Sequence, residues 1–249
     1  MILKQLQQNA LKSVKNNNLI LKDYHIGETF THVFISDGKK EYLGVTLSAK
    51  NEGESKPCHF DSLSDILQHQ SFNIASRTVI LSAINAVGQY ELRSKDLDLK
   101  ANLRQELFNL INNNSNEDEK IVFIGNLKPL VKKLRENNKD VTVFCRTKVE
   151  PDQKVFNDIF EYEAISQANI VIITGASLIG STIDAMLKFT NKAKMVIISG
   201  FSVGLDPIWL KGLGIDYVAS LYLENYTKQK IQNDPFESIF DNRCYIQKL

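Results

Sequence analysis

The sequence has few cysteines and no long apolar run, and each absence excludes a class of protein. Its three cysteines, Cys58, Cys145 and Cys244, are widely spaced with no Cys-x-x-Cys pair, which is typical of a reducing cytosol rather than a disulfide framework. No stretch approaches the roughly 18 apolar residues needed to span a bilayer. The first 18 residues also lack the apolar core of a secretory signal. We therefore expect a cytoplasmic protein without a membrane segment.

An excess of charge of one sign is also missing. Thirty basic side chains stand against 29 acidic ones, which leaves a formal net charge of +1 over 249 residues. Because no global field attracts a polyanion, neither nucleic acid nor an anionic membrane is an expected partner. A chain of this length fits one large domain or two small ones.

A polar run at 112–120, NNNSNEDEK, separates two regions with different periodicities. Before it, a helical pattern from Leu3 to Val14 precedes three strand-like segments, LILKDYHIG, ETFTHVFIS and EYLGVTLSA, with an Asp-Gly turn between the last two. Further helices are predicted after the capping residue Ser62 and over ASRTVILSAINAVGQY. The first region, residues 1–111, therefore has an α+β pattern with an antiparallel sheet.

The second region, residues 112–249, alternates strand and helix signals. Near-continuous apolar runs at 121–125, 141–145, 169–175, 194–200 and 216–220 predict strands buried on both faces. The segments LKPLVKKLREN, FEYEAISQ, LIGSTIDAMLKF and LDPIWLKGL predict helices between them. The chain is therefore predicted to be an α/β protein whose second domain is a Rossmann-like, doubly wound parallel sheet.

Open sheets of this kind bind ligands beyond the carboxyl ends of their strands. The segments at those ends are Gly125-Asn126, Cys145-Arg146, Thr174 to Ser177 and Ser199 to Ser202. Their backbone N–H groups and hydroxyls can hold an anion. The same residue types also serve close packing and capping, and this alternative stays open.

Two common nucleotide motifs are incomplete. The first turn, GNLKPL, has one glycine where Gly-x-Gly-x-x-Gly needs three, and the second strand ends in Cys145-Arg146 instead of an acidic ribose contact, so NAD is disfavoured. Gly175 and Gly180 have the spacing of a Walker loop, but Ser181 occupies the position of its lysine. The loop is therefore expected to hold a smaller or less charged anion.

Side chains for a metal site are sparse. Cys58 and His59 are adjacent, which is not the usual spacing of metal ligands, and they are weak candidates only. In the first region, Arg77 and Asn85 are eight residues apart and share one face of an apolar helix. They either make internal hydrogen bonds or line a cleft between the domains.

The segments HIGETFTHVFI, ASRTVILSAINAVGQY, IVFIGNLKPLVKKL and ANIVIITGASLIGSTIDAML resemble the putative heavy-metal chelatase family, over roughly residues 19 to 225. The resemblance implies an enolase-N-terminal-like domain joined to a Rossmann-like domain, with a site in the crevice between them and a role in heavy-metal chelation. The family loop commonly carries Asn-Gly-Thr where this chain has Gly180-Ser181-Thr182. A later Gly-Pro-Ser loop is here Gly200-Phe201-Ser202.

These observations predict a small-molecule ligand, anionic or bound to a divalent heavy metal, held in the interdomain cleft. A metal chelatase-like enzyme, a transferase using S-adenosylmethionine or a nucleotide, and a non-catalytic binding or regulatory module all stay open. The apolar helical surfaces and strand edges would suit a homodimer. The predicted ligand-binding residues are Arg77, Asn85, Gly125, Asn126, Thr174, Gly175, Ser177, Thr182, Gly200 and Ser202.

Overall fold

The computed structural model describes residues 1–49, 58–146, 149–223 and 243–249. In chain order, its helices are α1 (Ile2–Asn17), α2 (Leu63–Gln68), α3 (Ile74–Leu92), α4 (Leu103–Asn113), α5 (Lys128–Glu136), α6 (Glu161–Ile165), α7 (Ser177–Gly180) and α8 (Ile183–Met186). Its strands are β1 (Ile20–Ile26), β2 (Phe30–Ser36), β3 (Glu41–Leu47), β4 (Lys120–Ile124), β5 (Asp140–Phe144), β6 (Val155–Phe156), β7 (Ile170–Thr174), β8 (Met195–Ser199), β9 (Tyr217–Leu221) and β10 (Cys244–Lys248).

The strands form two sheets. The first is antiparallel, in the order β1-β2-β3, with Ser36 opposite Glu41 where the predicted Asp-Gly hairpin turns. The second has the order β10-β9-β8-β7-β4-β5-β6, and its strands run parallel except for β10. The strand order reverses between β4 and β7, which makes the sheet doubly wound and marks the edge where such sheets bind ligands. The predicted α/β class is therefore confirmed.

The parallel strands are buried on both faces, which explains their continuous apolar sequences. Val122 and Ile124 of β4 pack into a core that also contains α1 and α3. The alternate residues Ile121 and Phe123 pack into a second core with α4 and α5. The period of two along each strand thus divides its side chains between two helical layers.

Helix α3 lies at the centre of the molecule. Every residue from Ala75 to Tyr90 is buried except Arg77, and a helix that is apolar all round is expected to be enclosed. Two glycines allow this close packing. A Cβ on Gly44 of β3 would lie 2.0 Å from Ser82 O, and a Cβ on Gly88 would lie 2.3 Å from Leu205 Cα. The helix therefore contacts the antiparallel sheet on one side and the loop after β8 on another.

Two predicted helices differ from the structure. The segment 178–189 is not one helix, because Ser181 has a left-handed backbone with φ of 54° that ends α7, and α8 begins two residues later. The segment 205–213 contains only a 3₁₀ turn at Pro207–Leu210, whose first turn is capped by the Asp206 carboxylate. The prediction at Ser62 is correct, since its hydroxyl accepts the N–H of Asp65 at 3.1 Å.

Candidate functional site

The turns after β4 and β7 meet at the point where the strand order reverses. Gly125 has φ of 101°, and a Cβ at this position would lie 2.9 Å from Thr174 Cβ. Gly175 is equally confined, since its Cβ would lie 2.7 Å from Val203 N in the turn after β8. Three predicted loops therefore converge because glycine lets their backbones approach.

Arg77 connects α3 to this edge of the sheet. Its Nη2 donates a hydrogen bond to Ser181 Oγ at 2.5 Å, while its buried Nε has no partner in the part of the chain that the structure describes. Burial lowers the pKa of the guanidinium, and the charge of Asp184 only partly opposes this effect. No carboxylate of the described residues lies within 4 Å of the guanidinium. A half-buried cation of this kind attracts an anion.

Several polar atoms at the carboxyl ends of β4, β7 and β8, or in the short helices that follow β7, are buried without a hydrogen-bond partner among the described residues. Ser177 Oγ and Ser199 Oγ are among them, as are Asp184 Oδ2 and Asn126 Oδ1. The other oxygen of Asp184 accepts the N–H of Ile2 at 2.8 Å, which ties α1 to α8. Buried polar groups in proteins nearly always have partners, so these four atoms lack a partner that buried polar groups normally have.

Other predicted residues have internal roles. Asn85 is fully buried and donates to Val45 O at 3.0 Å, leaving its own Oδ1 without a partner. Ser202 Oγ accepts the N–H of Leu47 at 3.0 Å and so joins the two sheets. Thr182 donates its N–H to Ser177 O, and Gly200 has φ of 106° in the turn after β8. Of the side-chain polar atoms of Asn85, Thr182 and Ser202, only Asn85 Oδ1 is buried without a partner among the described residues.

The weak metal candidates have other contacts. His59 Nε2 lies 3.3 Å from Asp61 Oδ1 and its Nδ1 lies 3.3 Å from the Tyr24 hydroxyl, while Cys58 is exposed. Within the ranges described above, no three His, Cys, Asp or Glu side chains come together as metal ligands.

Two acidic residues were missed by the sequence analysis. Asp184 is the single acidic residue in LIGSTIDAMLKF, and its isolation among apolar residues could have marked it as a candidate in the sequence. Glu161 begins α6 and is almost completely buried, with one oxygen unpartnered. Burial, together with the charge of Asp158, raises its pKa to about 7. No pattern in the sequence distinguishes Glu161 from its exposed neighbour Glu163.

Three cavities in the described part of the chain do not include Arg77 in their walls. One of about 710 Å³ follows α5 and includes Asn126 in its wall, together with Lys128, Lys132 and Arg135. A groove of about 430 Å³ crosses β4, β5 and β6, and a third cavity of about 300 Å³ lies beside Asp206. Of the predicted site residues, Asn126 alone lines one of these three cavities.

No helix in the described part of the chain has the length and apolar character that crossing a bilayer requires.

The fold and site define a class of α/β proteins in which a small antiparallel sheet packs, through a buried helix, on a doubly wound sheet with polar turns at its carboxyl edge. The chain belongs to the DUF364 family, whose model, described as "Putative heavy-metal chelation", matches residues 109–230. An uncharacterized protein of Methanocaldococcus jannaschii is 30% identical over 229 residues, covering 88% of this chain and 86% of the relative.

Two solved structures of DUF364 proteins of unknown function are similar throughout. The one from Pyrococcus horikoshii has a TM-score of 0.83 and 26% identity, and the match covers 100% of both chains. The one from Desulfitobacterium hafniense has a TM-score of 0.71 over 98% of both chains, and its 14% identity supports the fold alone. The family predicted from the sequence is therefore confirmed.

Proposed function

We propose that this protein binds a small ligand bearing a carboxylate or phosphate group between α3 and the carboxyl edge of the parallel sheet. Arg77 is the observation that carries the proposal. Its Nη2 donates to Ser181, while its buried Nε has no acceptor among the described residues and can donate to a ligand. An oxygen of a carboxylate or phosphate can accept the free Nε–H bond, and a hydrogen bond between two charged groups is stronger than a neutral one.

The surrounding hydroxyls support the same ligand class. Ser177 Oγ and Ser199 Oγ can each donate a hydrogen bond and have no acceptor among the described residues. Ser177 follows β7, which lies at the reversal of strand order, and Ser199 is the last residue of the adjacent strand β8. Open α/β sheets bind ligands at this edge. In our proposal the anion is bound by Arg77 of α3, Ser177 of α7 and Ser199 of β8.

The protein's own donors do not fit a resident heavy metal. Soft metals favour thiolate and imidazole ligands, whereas the described groups here are hydroxyls, amides and the Asp184 carboxylate. In our proposal a metal therefore arrives already chelated by the anionic ligand. Heavy-metal chelation in this family would then mean binding of the metal chelate.

The experiment compares binding of citrate, orthophosphate and the nickel citrate complex by isothermal titration calorimetry. Replacing Arg77 by Gln removes a charge-assisted hydrogen bond worth about 1.5 to 3 kcal/mol, so we expect affinity for the bound probe to fall about 10- to 100-fold. Arg93→Gln is the matched control, because Arg93 is exposed and stacks on Tyr90 away from the site.

Other outcomes would redirect the proposal. Equal affinity of Arg77→Gln and wild type, or no binding of any of these anions, would refute it. S-Adenosylmethionine or a nucleotide binding in their place would favour the transferase, and a protein partner alone would favour the regulatory module. Tighter binding of nickel citrate than of citrate would support the chelate over the free anion.

A pair of serine variants separates binding from stability. Ser177 Oγ makes no hydrogen bond in the protein, so Ser177→Ala should weaken anion binding while changing the free energy of unfolding by less than about 0.5 kcal/mol. Ser202→Ala removes the hydroxyl that accepts the N–H of the partly exposed Leu47, and we expect a loss of about 0.5 to 1.5 kcal/mol. Urea unfolding and calorimetry on both variants measure the contrast.

A further inference from the structure

The sheet edge formed by β5 and β6 is poorly covered. The described residues between these strands contain a single 3₁₀ turn at Pro151–Gln153, and the helix that follows β6, α6, has only five residues. Parallel strands are normally covered by helices on both faces. A groove of about 430 Å³ lies on this face, with Val122, Phe144, Phe156 and Ala164 in its floor.

A ridge of apolar side chains stands beside the groove. Phe160 lines the groove yet is 57% exposed, and the preceding residue Ile159 is 71% exposed. Both belong to the 3₁₀ turn Asp158–Phe160, which presents them side by side. Large exposed apolar groups beside a groove that polar and charged side chains surround are typical of an interaction surface.

The charges at the rim indicate which partner fits. Lys120 and Lys154 face the same groove as Asp140 and Glu163, so the surface has two charges of each sign. A two-fold interface places one patch against an identical patch, and that requires a surface that does not repel itself. The rim satisfies this requirement.

We propose that this surface is the interface of a homodimer, in which the Ile159-Phe160 ridge of each copy packs into the groove of the other. A ridge and a groove on one patch make the surface self-complementary, which is the condition for a two-fold contact. Strand β6 is only two residues long and follows Lys154 in a left-handed conformation, so side chains rather than backbone pairing carry the contact.

The test is sedimentation equilibrium of the full chain across a wide concentration range. Wild type should approach twice the 28.2 kDa mass of one chain. Phe160→Asp puts a charge at the centre of the interface and should raise the dimer dissociation constant at least about 100-fold. Phe72→Asp is the control, since Phe72 is fully exposed outside this patch and its replacement should leave the dimer unchanged.

Two results would overturn the proposal. One is a wild-type protein that stays monomeric at every concentration, and the other is a Phe160→Asp variant that dimerises as tightly as wild type. Circular dichroism would check that the variant is folded. We expect it to fold, because the replaced ring is largely exposed. Ile159→Asp provides a second variant on the same ridge with the same expected effect.

Discussion

At the scale of single residues, identical side chains have different roles that their sequence context does not reveal. Ser202 and Ser177 each follow a strand of the parallel sheet. The Ser202 hydroxyl accepts a hydrogen bond from Leu47 N–H, whereas the Ser177 hydroxyl has no partner among the described residues. Arg77 and Asn85 share one helix, yet Arg77 alone reaches the turns beyond β7. The sequence suggests which residues are candidates for a site. It does not reveal their hydrogen-bond partners, because the partners of Arg77 and Ser202 lie more than a hundred positions away in the chain.

Glu161 should make stability depend on pH. Its carboxyl pKa is about 7 in the folded protein, against an ordinary value of 4.5 that we take for the unfolded chain. The folded protein therefore binds the proton more tightly. The free energy of unfolding contributed by this group therefore falls as pH rises from about 4.5 to 7, and then stays constant. Glu161→Gln stays neutral and should gain up to about 3 kcal/mol over wild type between pH 5 and pH 8.

Urea unfolding of both proteins at pH 5, 6, 7 and 8 measures this difference. Glu163→Gln in the same helix is the control, because it removes an exposed carboxyl of α6 and leaves the buried Glu161 carboxyl in place. A constant difference between Glu161→Gln and wild type over this range would show that the carboxyl is not buried in the folded protein.

At the scale of elements, strands were predicted better than helices. Continuous apolar runs identified β4, β5, β7, β8 and β9, because burial on both faces determines their composition. The two-residue β6 and the separate β10 gave no comparable signal. Helical periodicity over 178–189 missed the left-handed Ser181, whose hydroxyl is bound by Arg77 from 104 positions earlier in the chain.

The packing of α3 predicts an unusual response to a helix-favouring substitution. Gly→Ala within a helix commonly stabilises by about 0.5 to 1 kcal/mol. At Gly88 the new Cβ would lie 2.3 Å from Leu205 Cα and 2.7 Å from Asp206 N, which are backbone atoms that cannot rotate away. We expect Gly88→Ala to destabilise by about 1 to 3 kcal/mol in urea unfolding.

Gly180→Ala is the matched control for this substitution. Its Cβ would approach only Thr182 Cγ2, at an ordinary 3.6 Å, so we expect a change within about 0.5 kcal/mol. Stabilisation by Gly88→Ala would mean that α3 and the 203–206 turn lie further apart than described.

At the scale of the whole molecule, the two sheets share one core and should unfold together. Gln89 of α3 donates to Gly204 O and Leu221 O, and its Oε1 accepts the N–H of Leu223 at 2.8 Å. The core around α3 includes side chains from both sheets. Fluorescence of Trp209, the single tryptophan, and far-ultraviolet circular dichroism should therefore report coincident urea transitions.

Gln89→Leu tests this coupling directly. It leaves three buried backbone groups without partners and should lower the free energy of unfolding by about 3 kcal/mol, while both signals still change together. Gln8→Leu on the exposed face of α1 is the control and should have little effect. Separate transitions for the two signals would contradict a shared core.

The enclosure of α3 also has a consequence for protein synthesis. This helix is complete once residue 92 has left the ribosome, but the turn at Leu205 and the Leu221 carbonyl that cover it are made more than a hundred residues later. At about 5 to 20 residues per second, the face of α3 that these later residues cover stays exposed on the nascent chain for on the order of 10 s. Newly made chains should therefore depend on chaperones during translation, and truncation before residue 205 should yield aggregates.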